Sequence, residues 1–292
     1  MSNFTRVFEE ARPMLTGLAY RILGSRADAE DAVQDTFLKW QSVDQETVRT
    51  PIAWLRTACT RRAIDMLRGA HKSRVDYVGA WLPEPIQATM PADEEGAALA
   101  SSLTTAFLLM LQRLTPKERA AYLLREIFEA PYPEIAQTLE LTEQACRKLV
   151  SRAQSHIAEA GVRHVTPAAR QEELLATFEA AVESGDTSRL AALLSDDIAF
   201  RQDTGGKVAA FTHQVDGKEA VLALIRETLH RYWSQCEWRP ADINGQRGAL
   251  LVKDGATIAT LAFSYDTQGR ATHVYVMRNP EKLAGLGRPG PN

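Results

Sequence analysis

No run of apolar residues in this chain approaches the ~20 that a membrane-spanning helix needs. The N-terminus, MSNFTRVFEEARPML, lacks the apolar core of a secretory leader. Both absences point to a cytoplasmic protein with no membrane partner. Cysteine is scarce, with only Cys59, Cys146 and Cys236, and no CxxC or Cys/His spacing links them. That argues against a disulfide framework and a zinc site, and leaves three small buried residues. An excess of positive charge is missing too, since 34 Lys and Arg face 37 Asp and Glu for a net charge of −3. A generally basic coat for nucleic acid is therefore excluded, and any such contact must come from local clusters. Low-complexity blocks are absent, and 292 residues with 45% hydrophobic content suffice for two or three small cores.

Residues 4–74 read as helices, with breaks at Gly24-Ser25 and around Thr50-Pro51. In ADAEDAVQDTFLKW, Ala29, Val33, Phe37 and Trp40 recur at helical spacing and form a core face. Asp28, Asp31, Gln34 and Asp35 occupy the other faces. The next helix has Pro51 in its first turn, where a missing N–H costs least. It then carries Arg56, Arg61, Arg62, Arg68, Lys72 and Arg74 against Asp65 alone, which makes a basic face.

Residues 75–98 hold Pro83, Pro85, Pro91 and the acidic ADEE, so no continuous helix crosses them. This is a linker, yet WLPEP at 81–85 is a strange tether. Its prolines stiffen the backbone, and Trp81 and Leu82 are large apolar groups that need something to fill. Two outcomes are open: Trp81 caps the first helical domain, or WLPEP docks on another one.

Residues 99–165 are helical again, with Thr115 as N-cap and Pro116 at the first helical position. In YPEIAQTLELTEQACRKLVSRAQSHI, a short helix with Ile135, Ala136 and Leu139 meets a turn at Glu140-Leu141, and Thr142 can cap a second helix. That helix buries Cys146, Val150, Ala153 and Ile157. Its opposite face presents Gln144, Arg147, Lys148, Ser151 and Arg152. Polar side chains so placed can reach base edges in a major groove while Arg and Lys neutralise phosphates. A basic helix alone would equally suit a solvated bundle face, and it is the preceding short helix and tight turn that favour DNA.

After residue 168 the pattern changes. A helix, PAARQEELLATFEAAVESGD, leads into alternating segments IAFRQD, GALLVKDGATIATLAFSYD and ATHVYVMRN, with hairpin turns at Asp254-Gly255 and Gln268-Gly269. This makes an α+β domain over 168–284, followed by a flexible tail, 285–292.

Taken in order, ADAEDAVQDTFLKW, WLRTACTRRAIDMLR and the distal helix-turn-helix resemble the extracytoplasmic-function (ECF) sigma factors of bacterial RNA polymerase, over residues 4 to about 160. The resemblance implies a multidomain chain: an all-α region 2 domain (1–74) for core polymerase and the −10 element, and an all-α region 4 domain (99–165) for the −35 element. Asp31, Gln34 and Asp35 would then dock on the clamp helices of the polymerase's largest subunit. Arg61, Arg62, Arg68 and Lys72 would lie along the DNA backbone beside the melted strand, with Trp54 in the core.

The remainder is similar to SnoaL-like domains of the ketosteroid-isomerase-like superfamily, a curved sheet wrapped round helices as a cone with a pocket. A SigJ-like group of sigma factors carries this extension together with WLPEP, a DGGGK-like loop and an NPDKL-like tail. Here the last two read DTGGK (203–207) and NPEKL (279–283). The implied regulatory contact joins Trp81, Leu82 and Pro83 with Asp203, Gly205, Gly206, Lys207, Asn279 and Pro280. It would replace a separate anti-sigma factor.

DTGGK is no phosphate-binding loop, because the earlier glycine is missing and Val208 stands where Ser or Thr is required. No cofactor is implied. The superfamily includes isomerases and cyclases with an Asp or His general base, and Asp203, His213 and Asp216 have the right chemistry. Fusion to a transcription factor instead favours a pocket for a small-molecule ligand, and no enzyme. Two alternatives remain: a ligand-responsive helix-turn-helix regulator that never joins polymerase, and a SnoaL-like enzyme fused to a DNA-binding module.

Overall fold

The computed structural model describes residues 3–44, 47–75, 77, 79–87, 102–159, 166–210 and 214–286. Packing divides the chain into two units, one of Met1–Asp76 with Met110–Ala160 and the other of Tyr77–Leu109 with Gly161–Asn292. The described linker residues thus fall in the unit that holds the C-terminal part of the chain.

In the first unit, α1 (Asn3–Leu23), α2 (Arg26–Ser42) and α3 (Pro51–Val75) pack together. Gly24 ends α1 at φ 71°, and the Ser25 hydroxyl accepts from Asp28 N at 3.2 Å to open α2. The core combines Leu15, Leu18 and Ile22 with Ala29, Val33 and Trp40, closed by Leu55, Cys59 and Ala63. Phe37 and Trp54, expected inside, are half-buried at its edge, 4.7 Å from Phe8 and 5.2 Å from Trp40 between ring centroids. Ala32 and Thr36 take the inner positions instead. Thr36 can do so because its hydroxyl donates to Ala32 O within the helix at 2.7 Å.

After α4 (Thr105–Leu111), α5 (Pro116–Glu126) starts on a full capping box between Thr115 and Glu118. Helices α6 (Tyr132–Leu139) and α7 (Glu143–Glu159) follow. Glu140 joins them in the left-handed region, φ 54° and ψ 54°. The Thr142 hydroxyl accepts from Ala145 N at 3.2 Å, and Cys146, Val150, Ala153 and Ile157 are buried as the spacing requires.

The second unit runs α8 (Ala168–Ser184), α9 (Ser188–Ala191), β1 (Leu194–Asp203), β2 (Gln214–Asp216) and α10 (Lys218–Leu224). A π-turn, Ile225–Leu229, leads to α11 (His230–Trp233). Then come β3 (Glu237–Ile243), β4 (Gln246–Lys253), β5 (Ala256–Tyr265), β6 (Ala271–Met277) and α12 (Pro280–Leu283). The sheet order is β2-β1-β6-β5-β4-β3, with β1 and β6 parallel and every other pair antiparallel. Turns at Asp254-Gly255 and across Asp266–Arg270 match expectation, and a third at Asn244-Gly245 joins β3 to β4.

Both sheet faces are apolar. One packs Phe178, Val221, Ile225 and Trp233 of the helices against Trp238, Leu251, Leu261 and Phe263. The other carries Ile243, Leu250, Val252, Ala262 and Met277, and Leu82 of the linker, Ala106 and Leu283 cover it. Further along, Ile86 N donates to Asn244 Oδ1 at 2.6 Å, Asn244 N donates to Ile86 O at 2.8 Å, and Gln87 bridges Ile243. The linker thus occupies part of the exposed edge of β3. Of the expected tail, Leu286 packs on this second cluster, and 287–292 fall outside the described residues.

Candidate functional site

Three clusters of polar side chains stand out, the first on α7. Gln144, Arg147, Lys148, Ser151 and Arg152 are exposed side by side and line one shallow depression. The Arg147 guanidinium lies 4.1 Å over the Tyr132 ring and 3.2 Å from Glu143, and Arg152 sits 3.3 Å from Glu118. These contacts orient the two guanidiniums without covering them, because both side chains remain more than half exposed.

The second cluster is the basic face of α3, and it is less open than the sequence implied. Arg56 meets Glu134 at 2.5 Å and donates to Phe128 O, and the Thr57 and Thr138 hydroxyls lie 2.8 Å apart. Arg61 donates to Thr138 O at 2.9 Å and Gln137 O at 2.7 Å, and reaches Glu140 at 3.3 Å. It therefore caps the C-terminal carbonyls of α6, where the helix dipole favours a cation. Arg62 pairs with Asp35 at 2.6 Å, joining a residue expected on DNA to one expected on polymerase. Arg68 pairs with Asp65 at 3.4 Å, and the Lys72 side chain lies outside the described residues. Asp31 and Gln34 are exposed on α2, and one turn on Leu38 continues their face with 55% of its surface exposed. The sequence pattern did not single out Leu38.

The third cluster gathers WLPEP, DTGGK and NPEKL around one carboxylate. Asp203 is fully buried, and four donors reach it. Its Oδ1 accepts from the Tyr77 hydroxyl at 2.6 Å and Gly205 N at 3.0 Å, and its Oδ2 from Leu82 N at 2.9 Å and Lys282 Nζ at 2.8 Å. Lys282 Nζ also donates to Leu82 O at 2.7 Å and lies 4.3 Å over the Trp81 ring. Asn279 donates to the Tyr77 hydroxyl at 2.9 Å and caps α12 through Glu281 N. Pro280 takes the first position of α12, and Lys207 pairs with Glu281. Burial, then the hydrogen bond and charge of Asp203, hold the Tyr77 hydroxyl far above its usual pKa, so it stays a donor.

Gly205 and Gly206 take φ 59° and 70°, and a Cβ on Gly205 would meet Asn279 Nδ2 at 2.4 Å. Thr204 fits because the left-handed positions fall on the two glycines, and Lys207 N closes the turn onto Thr204 O at 3.0 Å. Leu82, Pro83 and Pro85 are buried, but Trp81 is only half-buried, its face on the Lys282 ammonium. Leu82 rather than Trp81 fills the apolar socket. Tyr77, Lys282 and Asn244 complete the grip and escaped the sequence reading, though Lys282 stands inside NPEKL.

Asp203, with four donors and no exposure, is not placed to take a proton from a substrate. Asp216 lies along the ladder opposite Ala199 and pairs with Arg201 at 2.7 Å, and His213 lies outside the described residues. Among the described residues no group of His, Cys, Asp and Glu could hold a metal ion, and no helix is long and apolar enough to cross a membrane.

The Sigma-70 region 2 model matches residues 7–73, and the Sigma-70, region 4 model matches 104–157. The ECF RNA polymerase sigma factor SigJ of Mycobacterium tuberculosis is 32% identical over 289 residues, covering 95% of this chain and 92% of that one. The chain belongs to the ECF RNA polymerase sigma factors. This sigma factor also matches the probable sigma factor SigI of the same species, at 27% over 94% of the chain. It superposes on the crystal structure of SigJ with a TM-score of 0.75 at 29% identity, over 97% of this chain and 99% of the other. The match runs through the C-terminal SnoaL-like domain, so two helical sigma regions followed by an α+β cone are the architecture. A sigma factor directs core polymerase to promoters, so polymerase and promoter DNA are the partners, and a regulator that never joins polymerase is set aside.

Proposed function

We propose that the SnoaL-like domain regulates this sigma factor in cis by holding the linker between regions 2 and 4. The carrying observation is the buried Asp203–Lys282 pair closed on both the N–H and C=O of Leu82. The linker therefore has a fixed seat, and the domain can govern where the two DNA-binding regions stand without a separate anti-sigma protein. On this account the domain is regulatory and not an enzyme, and the chain works in the cytoplasm.

Gln144, Arg147, Lys148, Ser151 and Arg152 meet the −35 element, and their shared exposed surface supports this. Arg61, Arg62, Arg68 and Lys72 serve the −10 element, and Asp31, Gln34 and Asp35 dock on the polymerase clamp helices. Arg61 and Arg62 then exchange α6 carbonyls and Asp35 for promoter phosphates.

Transcription from a cognate promoter by core polymerase and the full-length chain tests the regulation. Trp81→Ala removes the ring under the Lys282 ammonium and is expected to change transcript yield severalfold. An unchanged yield would overturn the proposal.

A further inference from the structure

The interior of the cone, where a SnoaL-like fold has room for a ligand, is packed here by Phe178, Trp238, Phe263 and Tyr265. A separate cavity of about 690 Å³ opens at the end of the sheet, between the β4–β5 hairpin, the end of β6, α11 and α12. Three cations line it, Arg239, Lys253 and Arg278; Glu237 holds the Arg239 guanidinium at 2.7 and 2.9 Å, and Arg278 also donates to Ala209 O at 2.8 Å. Trp233 and Leu283 supply apolar wall, and Tyr232 stands beside them 54% exposed. Volume, apolar walls and a few charged groups are the marks of a small-molecule site.

One wall is shared with the grip on the linker. Leu283 lines the cavity and also belongs to the cluster that buries Leu82, and its neighbour Lys282 binds Leu82 O. We propose that this cavity binds a small amphipathic organic anion, a carboxylate on an apolar body, and that α12 passes its occupancy to the linker. The second half rests on the regulatory role proposed above. The cations meet the carboxylate, the indole and leucine meet the apolar body, and a shift of α12 alters the seat of Leu82.

Calorimetry on the full-length chain, with decanoate as probe and decyltrimethylammonium as charge control, tests the site. The expected result is saturable one-to-one binding of decanoate and none of the cation. Joint Arg239→Gln and Lys253→Gln, both at exposed positions, weakens decanoate by about tenfold or more. Ala256→Trp, which fills the cavity from its exposed rim, abolishes binding. No saturable binding, equal binding of the cation, or variants that bind like the parent would each overturn the site. Hydrogen exchange at the Leu82 amide, expected to change with decanoate, tests the coupling, and unchanged exchange on a loaded chain overturns that half. Transcription by Trp81→Ala without decanoate separates the two ideas: an unchanged yield there counts against linker control, whereas lost decanoate binding counts only against the cavity.

Discussion

The charge pairs around Asp203 and those of Arg61 and Arg62 on α3 both tie together segments far apart in sequence, but they differ in burial. Asp203 is fully buried and the Lys282 side chain is 13% exposed, whereas Arg62 and Asp35 are 46% and 44% exposed and Glu140, beside Arg61, is 75% exposed. A buried pair survives only when nearly every lone pair and proton is matched, and losing one partner costs about 3–5 kcal/mol. An exposed pair contributes about 0–1 kcal/mol and can change partners. The Asp203 cluster is therefore built to hold and the Arg61 and Arg62 pairs to exchange, while Arg56–Glu134 on α3, 15% and 16% exposed, holds as the buried pair does.

The contrast breaks hardest at Asp203. Asp203→Ala strands the Lys282 ammonium beside an apolar cluster and is expected to destabilise the C-terminal unit by about 3–5 kcal/mol in chemical denaturation. A loss below about 1 kcal/mol would show that the cluster is no tighter than a surface pair. Gly205→Ala comes next, because it imposes φ 59° on a residue whose Cβ must enter Asn279. A cost of about 1–3 kcal/mol is expected in the same assay.

On α3, Arg61→Ala removes two hydrogen bonds to α6 carbonyls and should cost about 1 kcal/mol of thermal stability. The smallest effect on folding is Arg62→Ala, at about 0.5 kcal/mol or less. Its signature lies in binding: the salt dependence of promoter affinity of the polymerase complex should flatten by about one counterion, and Lys148→Ala should flatten it alike. A Tm drop at Arg62 as large as that at Asp203 would erase the distinction.

What the sequence carried and what it hid divide along range. The exposed face of α7 and its buried stripe follow from a period of 3.6, which is local, and the caps at Thr115 and Thr142 are local too. The oddity of WLPEP was legible from composition. That Leu82 and not Trp81 fills the socket was not, because the choice depends on how α12 and β3 present their surfaces. Likewise Arg61 looks free along α3 until α6 is folded against it, and the parallel pairing of β1 with β6 joins residues more than seventy apart. Tyr77 is a lone aromatic with no pattern around it.

The most direct test of linker control is the full-length Lys282→Met chain, read by hydrogen exchange at the Leu82 amide and by transcription from a cognate promoter with core polymerase. The account predicts faster exchange at Leu82, together with a severalfold change in transcript yield. Faster exchange with an unchanged yield would contradict it.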